Sequence, residues 1–203
     1  MKIAVIGATG NVGRRIVAES LYRNHHVTAI ARDPFKLTAQ DGLTMLQGDA
    51  NDPAKLERLL IGHDVVVSSI MFLHSDITLL VRAVRDSGVS RYLVVGGAGS
   101  LEVAPGELVV EQPDFPAFVK AEATKGKEYL DYLRDIQDLD WTFLSPSALF
   151  KAGERTGVFR LGKDKLLIGT DGKSWISYED YTFALLDLIE QPKHIQQRFT
   201  VGY

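Results

Sequence analysis

The chain has 203 residues, enough for one sizeable core, and its 45% hydrophobic and 24% charged residues form an ordinary globular mix that excludes disorder and fibrous repeats. Its 23 Lys and Arg face 26 Asp and Glu, and a net charge of -3 gives no counterion-release drive toward nucleic acid or an anionic membrane. Without any Cys, a disulfide framework, a catalytic thiol and Cys-held metal are excluded, and a cytoplasmic protein is expected.

In chain order, the predicted strands are Lys2 to Ile6, Val27 to Ala31, Leu43 to Gln47, Val65 to Ser69, Tyr92 to Val95 and Trp141 to Ser145. Helix-period stretches separate them. Gly13, Ile16, Val17, Ser20 and Leu21 fall at offsets 0, 3, 4, 7 and 8, which is one helical face. Further helices are expected at Pro53 to Ile61, at Asp76 to Ser87 before Gly88, and at Ala117 to Asp135. The alternation predicts an α/β fold, a doubly wound parallel sheet in a single domain over residues 1–203. After Pro146 the rhythm changes. A hairpin over Gly157 to Ile168, turning at Gly162-Lys163-Asp164, then Ile176 to Ser177 and a helix from about Glu179 to Glu190, are expected as a small C-terminal lobe. Gly96 to Pro116 lacks a regular pattern and reads either as a pocket lid or as a flexible loop. Met1 to Ile6 is too short for a secretory h-region, and no run reaches the roughly 18 apolar residues of a membrane span.

Gly7-Ala8-Thr9-Gly10-Asn11-Val12-Gly13 follows the first strand directly and opens into the first helix. A lone glycine triplet is a weak signal, but strand, triplet and helix at the head of a βαβ unit form the context of an NAD(P)-binding Rossmann site. Gly7 permits the tight turn, Gly10 allows close approach of a pyrophosphate, and Gly13 lets helix and strand pack closely. The helix start offers unpaired N–H groups, and Thr9, Asn11 and Val12 complete the loop. Arg32 ends the second strand and suits a ribose 2′-phosphate, which favours NADPH. Asp33 follows and keeps NAD open, although Asp33-Pro34 is equally a turn pair. Asp49 after the third strand is placed to stand beside adenine, and Ser68 and Ser69 after the fourth to meet a ribose.

Together with Gly48-Asp49, the Gly96-Gly97-Ala98-Gly99-Ser100 exit, Ser145-Pro146-Ser147 and Ile176-Ser177-Tyr178-Glu179-Asp180, these residues resemble the atypical short-chain dehydrogenase/reductases. The resemblance is to the NAD(P)H-binding, NmrA-like and NADH–flavin reductase branch (biliverdin reductase B-like) and covers nearly the whole chain. It implies pyrophosphate binding by Gly7 through Gly13, NADP preference from Arg32, adenine at Asp49 and nicotinamide beside Pro146. It also draws Gly96 and Gly97 into the cofactor set.

The superfamily's Tyr and Lys four residues apart are absent: no tyrosine has Lys at that spacing, and Lys120, the best match to the catalytic and ribose-holding Lys, has Pro116 where its Tyr belongs. The helper Ser is missing as well, since Gly96, Gly97 and Ala98 occupy that turn. Carbonyl redox and epimerase chemistry are therefore disfavoured. The readings that remain are a reductase passing hydride to a flavin- or quinone-like acceptor, which needs little help from a protein acid, and a non-catalytic NADP(H) sensor. Phe72, Leu73, Phe115, Phe118, Leu149 and Phe150 read either as an apolar pocket wall or as core, and His74 as a proton donor or a solvated loop residue. Gly172-Lys173-Ser174 lacks the Gly of a P-loop, since Leu167 stands there, and the five His have no metal spacing, so no metal is expected. A homodimer is left open.

Overall fold

A computed structural model describes all 203 residues, which gather into two compact units: Met1–Val94 with Asp138–Trp141, and Val95–Gln137 with Thr142–Tyr203.

The first unit alternates strand and helix: β1 (Lys2–Ile6), α1 (Gly13–Tyr22), β2 (His26–Ala31), β3 (Leu43–Gln47), α2 (Pro53–Leu60), β4 (Val65–Ser68), α3 (Ile77–Asp86) and β5 (Arg91–Val95), whose last residue opens the second unit. The strands lie in the order β3-β2-β1-β4-β5 and the pairs are parallel, with Ile3 opposite Val27 and Val65. This is the Rossmann-like α/β fold. Ile3, Val5, Ile30, Val66 and Val67 are fully buried, and burying one such branched side chain is worth roughly 1.5–3 kcal/mol. Strand order reverses beside β1, so the carboxyl ends of β1 and β4 diverge into a crevice. Side-chain caps set two of the helices. Asp52 accepts the Lys55 N–H at 3.1 Å to start α2, and Asp76 accepts those of Thr78 and Leu79 at 2.8 and 3.3 Å to start α3.

The second unit contains β6 (Glu102–Ala104), β7 (Glu107–Leu108), α4 (Ala117–Arg134), β8 (Asp140–Pro146, from Thr142 onward), β9 (Leu149–Lys151), β10 (Arg160–Gly162), β11 (Trp175–Ser177), α5 (Tyr178–Glu190) and β12 (Gln197–Gly202). β12 pairs parallel with β8, β10 antiparallel with β12, and β9 parallel with β11.

Two expectations need correction here, and one strand was missed. The segment 96–116 is neither structureless nor loose, because Pro105-Gly106 makes a turn with Gly106 at φ 78° that joins β6 to β7, while Leu101, Val109 and Val110 are buried. The hairpin over Gly157 to Ile168 does not form. The chain bends at Lys163 and Asp164 as expected, but Arg160–Gly162 finds its ladder on β12, and the Leu166 N–H is taken by the Glu102 carbonyl at 2.9 Å. β12 itself was not anticipated: Gln197-Arg198-Phe199-Thr200-Val201 lacks clean alternation, since all but its first residue are buried.

One buried carboxylate organises the part of this unit that has no regular structure. Asp180 is fully buried and accepts the N–H groups of Thr156 and Gly157 at 2.8 Å, the Thr156 hydroxyl at 2.5 Å and the Tyr203 hydroxyl at 2.7 Å. Ser177 caps α5 by accepting the Asp180 N–H at 2.9 Å and donates to the Glu154 carbonyl at 2.8 Å. Asp180→Ala leaves these donors without an acceptor and is expected to cost about 2–4 kcal/mol in urea unfolding. A loss below about 0.5 kcal/mol would show that water replaces the carboxylate.

Candidate functional site

At the carboxyl ends of β1, β2, β3 and β4 lies a cleft of about 290 Å³, built wholly from the first unit. Its floor is the turn after β1. Gly7 has φ 80°, and a Cβ there would lie 2.3 Å from the Ser69 carbonyl oxygen, so both the backbone angle and the approach of β4 require glycine. A Cβ on Gly13 would lie 2.1 Å from the Gly7 carbonyl oxygen, because α1 begins directly over the turn. Gly10 differs. Its Cβ would come 3.3 Å from the Gly7 carbonyl oxygen, a tight contact that the turn must give a few tenths of an ångström to accept, far short of the overlap at Gly7 and Gly13.

At the loop, the Gly10 N–H closes the turn on the Gly7 carbonyl at 3.0 Å, while the N–H groups of Asn11, Val12 and Gly13 find no acceptor in the protein. α1 has no side-chain cap and no acidic residue in its first turn. Unpaired donors at the positive end of a helix form a seat for an anion.

Gly7, Thr9, Gly10, Arg32, Asp49 and Ser69 all line this cleft. Asn11, Val12 and Gly13 continue from it into α1. Ser68 is buried at the end of β4 opposite Ile6, and no part of it lines the cleft. The Arg32 side chain is exposed with no protein partner, and its carbonyl accepts Gln47 Nε2 at 3.1 Å. Asp49 is exposed and Oδ1 accepts the Asn51 N–H at 2.9 Å, fixing the strand exit as a short turn.

Lys36 and His74 also line the cleft. Lys36 was not singled out from the sequence, where a three-residue turn leaves no periodic signal. Pro34 starts a single 3-10 turn over Pro34–Lys36 that swings Lys36 back toward Asp33, with Nζ 3.8 Å from Oδ2. His74 ends a similar turn, Phe72–His74, and its carbonyl accepts Asn51 Nδ2 at 3.0 Å.

The remaining candidates belong to the second unit and are described within it. A Cβ on Gly96 would lie 2.4 Å from the Phe143 ring and 2.7 Å from the Leu144 carbonyl, which accepts the Gly96 N–H at 2.8 Å, so close packing on β8 explains that glycine. Gly97 follows it, half-buried, Pro146 is buried opposite Val201, and Lys120 is exposed on the first turn of α4. Pro116, in the place of the missing Tyr, is the residue from which α4 starts.

The suggested apolar wall divides. Phe72 is buried, and Phe150 packs edge-on to Tyr178 at 4.6 Å and against Tyr181 at 4.7 Å, whereas Phe118 is 89% exposed and Leu149 51%. Among the tyrosines, Tyr181 is fully buried and its hydroxyl donates to the Leu144 carbonyl at 2.7 Å; burial pushes its pKa well above the ordinary range. The Tyr203 hydroxyl, committed to Asp180, is likewise raised, first by burial.

A family model described as NAD(P)H-binding matches residues 7–192. YwnB of Bacillus subtilis, an uncharacterized protein, is 38% identical over 211 residues, covering 99% of this chain and 98% of its own. Among solved structures, a proposed epimerase from Bacteroides thetaiotaomicron is 37% identical with a TM-score of 0.95, covering 100% of this chain and 96% of that one. A proposed NADH-flavin reductase from Streptococcus pneumoniae is 34% identical with a TM-score of 0.88, covering 100% and 99%. No helix is long and apolar enough to cross a membrane.

The two inner glycines are expected to separate when replaced. Gly13→Val forces a Cβ onto backbone and should lower unfolding stability by about 3 kcal/mol or more, whereas Gly10→Val, whose contact is tight but not an overlap, should lose much less stability and still fold while losing nucleotide binding. Retained nucleotide affinity in folded Gly10→Val would make the loop a turn and nothing more.

Proposed function

The chain belongs to the NAD(P)H-binding family, and we propose that it is an NADPH-preferring reductase that passes hydride to a flavin- or quinone-like acceptor without a Tyr-Lys pair. The observation that carries the cofactor preference is Arg32, a guanidinium on the cleft wall with no protein partner. Its planar fork matches a ribose 2′-phosphate. Asp33, the carboxylate that would serve a free 2′-hydroxyl, is faced by Lys36 at 3.8 Å. Two cations on one wall suit the phosphorylated cofactor better.

The loop fits the pyrophosphate through unpaired N–H groups and a Gly10 that packing constrains less than Gly7 or Gly13. When bound, NADPH supplies the hydride. The chain's own contribution is binding and orientation, which alone lower a barrier when the acceptor needs little proton assistance. The tyrosines support this division of labour: Tyr92, Tyr129 and Tyr181 are buried, and the hydroxyls of Tyr181 and Tyr203 are committed to protein acceptors. Lys120, in this reading, holds the cofactor ribose. A chain without Cys or a membrane-crossing helix fits work in the cytoplasm.

Calorimetric titration is expected to show tighter binding of NADPH than NADH, and Arg32→Ala should weaken NADPH alone by about 10- to 100-fold, as loss of a charged hydrogen bond worth roughly 1.5–3 kcal/mol requires. Equal affinity for both cofactors in the wild type would overturn the preference. Offered FMN, riboflavin and quinones in turn, the protein should oxidise NADPH with at least one of them. Tight binding with no turnover would favour the sensor.

The absence of a protein acid has its own kinetic signature. Tyr132→Phe and Tyr178→Phe should leave kcat within about tenfold, because losing a positioned general acid costs 10² to 10⁴. Lys120→Ala should raise KM for NADPH more than it lowers kcat. A hundredfold fall in kcat with NADPH affinity intact, in either tyrosine variant, would identify a relocated proton donor.

A further inference from the structure

α2, α3 and α5 each begin on a side chain that accepts backbone N–H groups, from Asp52, Asp76 and Ser177. α1 and α4 have neither a side-chain cap nor an acidic first turn, and α1 adds two consecutive arginines, Arg14 and Arg15, at its positive end. Cations there oppose the helix dipole. A local rule broken at a candidate site is a signature of function when something else relieves it.

Both side chains fold back onto the glycine loop. Arg14 donates through Nε to the Gly10 carbonyl at 3.2 Å and through Nη2 to the Thr9 carbonyl at 3.1 Å, and Arg15 donates through Nη1 to the Asn11 carbonyl at 2.7 Å. In a planar trans peptide, the C=O and the next residue's N–H point in opposite directions. The guanidiniums therefore turn the N–H groups of Asn11 and Val12 away from themselves, and these donors have no acceptor in the protein. Arg14 is exposed and does not line the cleft, but the two residues whose carbonyls it grips, Thr9 and Gly10, do.

Resting on the reading of this loop as the pyrophosphate seat, we propose that Arg14 and Arg15 are positioning residues for the pyrophosphate. They set the orientation of the peptides joining residues 9 to 12 and gather positive charge where the phosphates arrive. Cations at the positive end of a helix are unfavourable in the absence of an anion. With one, the same charges and the oriented N–H groups attract it together, so their benefit belongs to the complex.

The test uses ADP, which contains a pyrophosphate, and adenosine 2′-monophosphate, which does not, titrated against the wild type, Arg14→Gln and Arg14→Gln/Arg15→Gln, with melting of each protein alone. ADP affinity should fall about tenfold in the single variant and further in the double, the size of a lost charge-assisted contact. Affinity for adenosine 2′-monophosphate should stay within about twofold, and neither variant should melt below the wild type. Unchanged ADP affinity overturns the proposal, as does an equal loss of both ligands or a lowered melting temperature, either of which makes the arginines structural clamps. The loop reading fails separately: if folded Gly10→Val still binds NADPH and ADP, the pyrophosphate does not sit here, and both readings fall.

Discussion

The cleft depends on how closely three backbone segments meet at Gly7. The end of β1, the exit of β4 at Ser69 and the start of α1 at Gly13 all come within a distance that no Cβ could share. Because they meet there, the first turn of α1 points its N–H groups over the end of the sheet rather than alongside it. Parallel pairing of β1 with β2 and β4, residue by residue from Ile3 to Ile6, holds that meeting point rigid from below. Arg32, Asp49 and Ser69 reach the cleft because they leave the carboxyl ends of neighbouring parallel strands.

This geometry leaves backbone donors open at the cleft, whereas three other helix starts are capped. α2, α3 and α5 have capped starts, and the buried Asp180 is surrounded by donors. At α1 the donors are open and flanked by arginines. Orphaned backbone donors and cations at the positive end of a helix cost stability, a cost that binding of an anion there recovers.

In the second unit, hydrogen bonds to single side chains do the work that sheet ladders do in the first. Asp180 fixes Thr156 and Gly157 in a stretch without secondary structure, and Arg198, buried, ties Asp164 and the Ser100 carbonyl at 2.7 and 3.0 Å. Such anchoring explains how 152–159 and 96–116 can be ordered with little regular pairing.

The sequence by itself determined the strands and helices of the first unit and the glycine turn, because apolar runs, helical periodicity and Gly spacing are local properties that need no distant partner. It also singled out Gly7, Thr9, Gly10, Arg32, Asp49 and Ser69, each near a strand exit, and the fold gathers them along one cleft. Only the tertiary structure decided that Lys36 and His74 join them, since each arrives through a single 3-10 turn, too short to leave a periodic signal. It decided too that Arg160–Gly162 pairs with β12 rather than folding into a hairpin, and that Asp180 and Arg198 are buried anchors. Partner choice at a strand edge and the burial of a charge depend on what distant segments offer, and that is set by packing and not by the neighbouring residues.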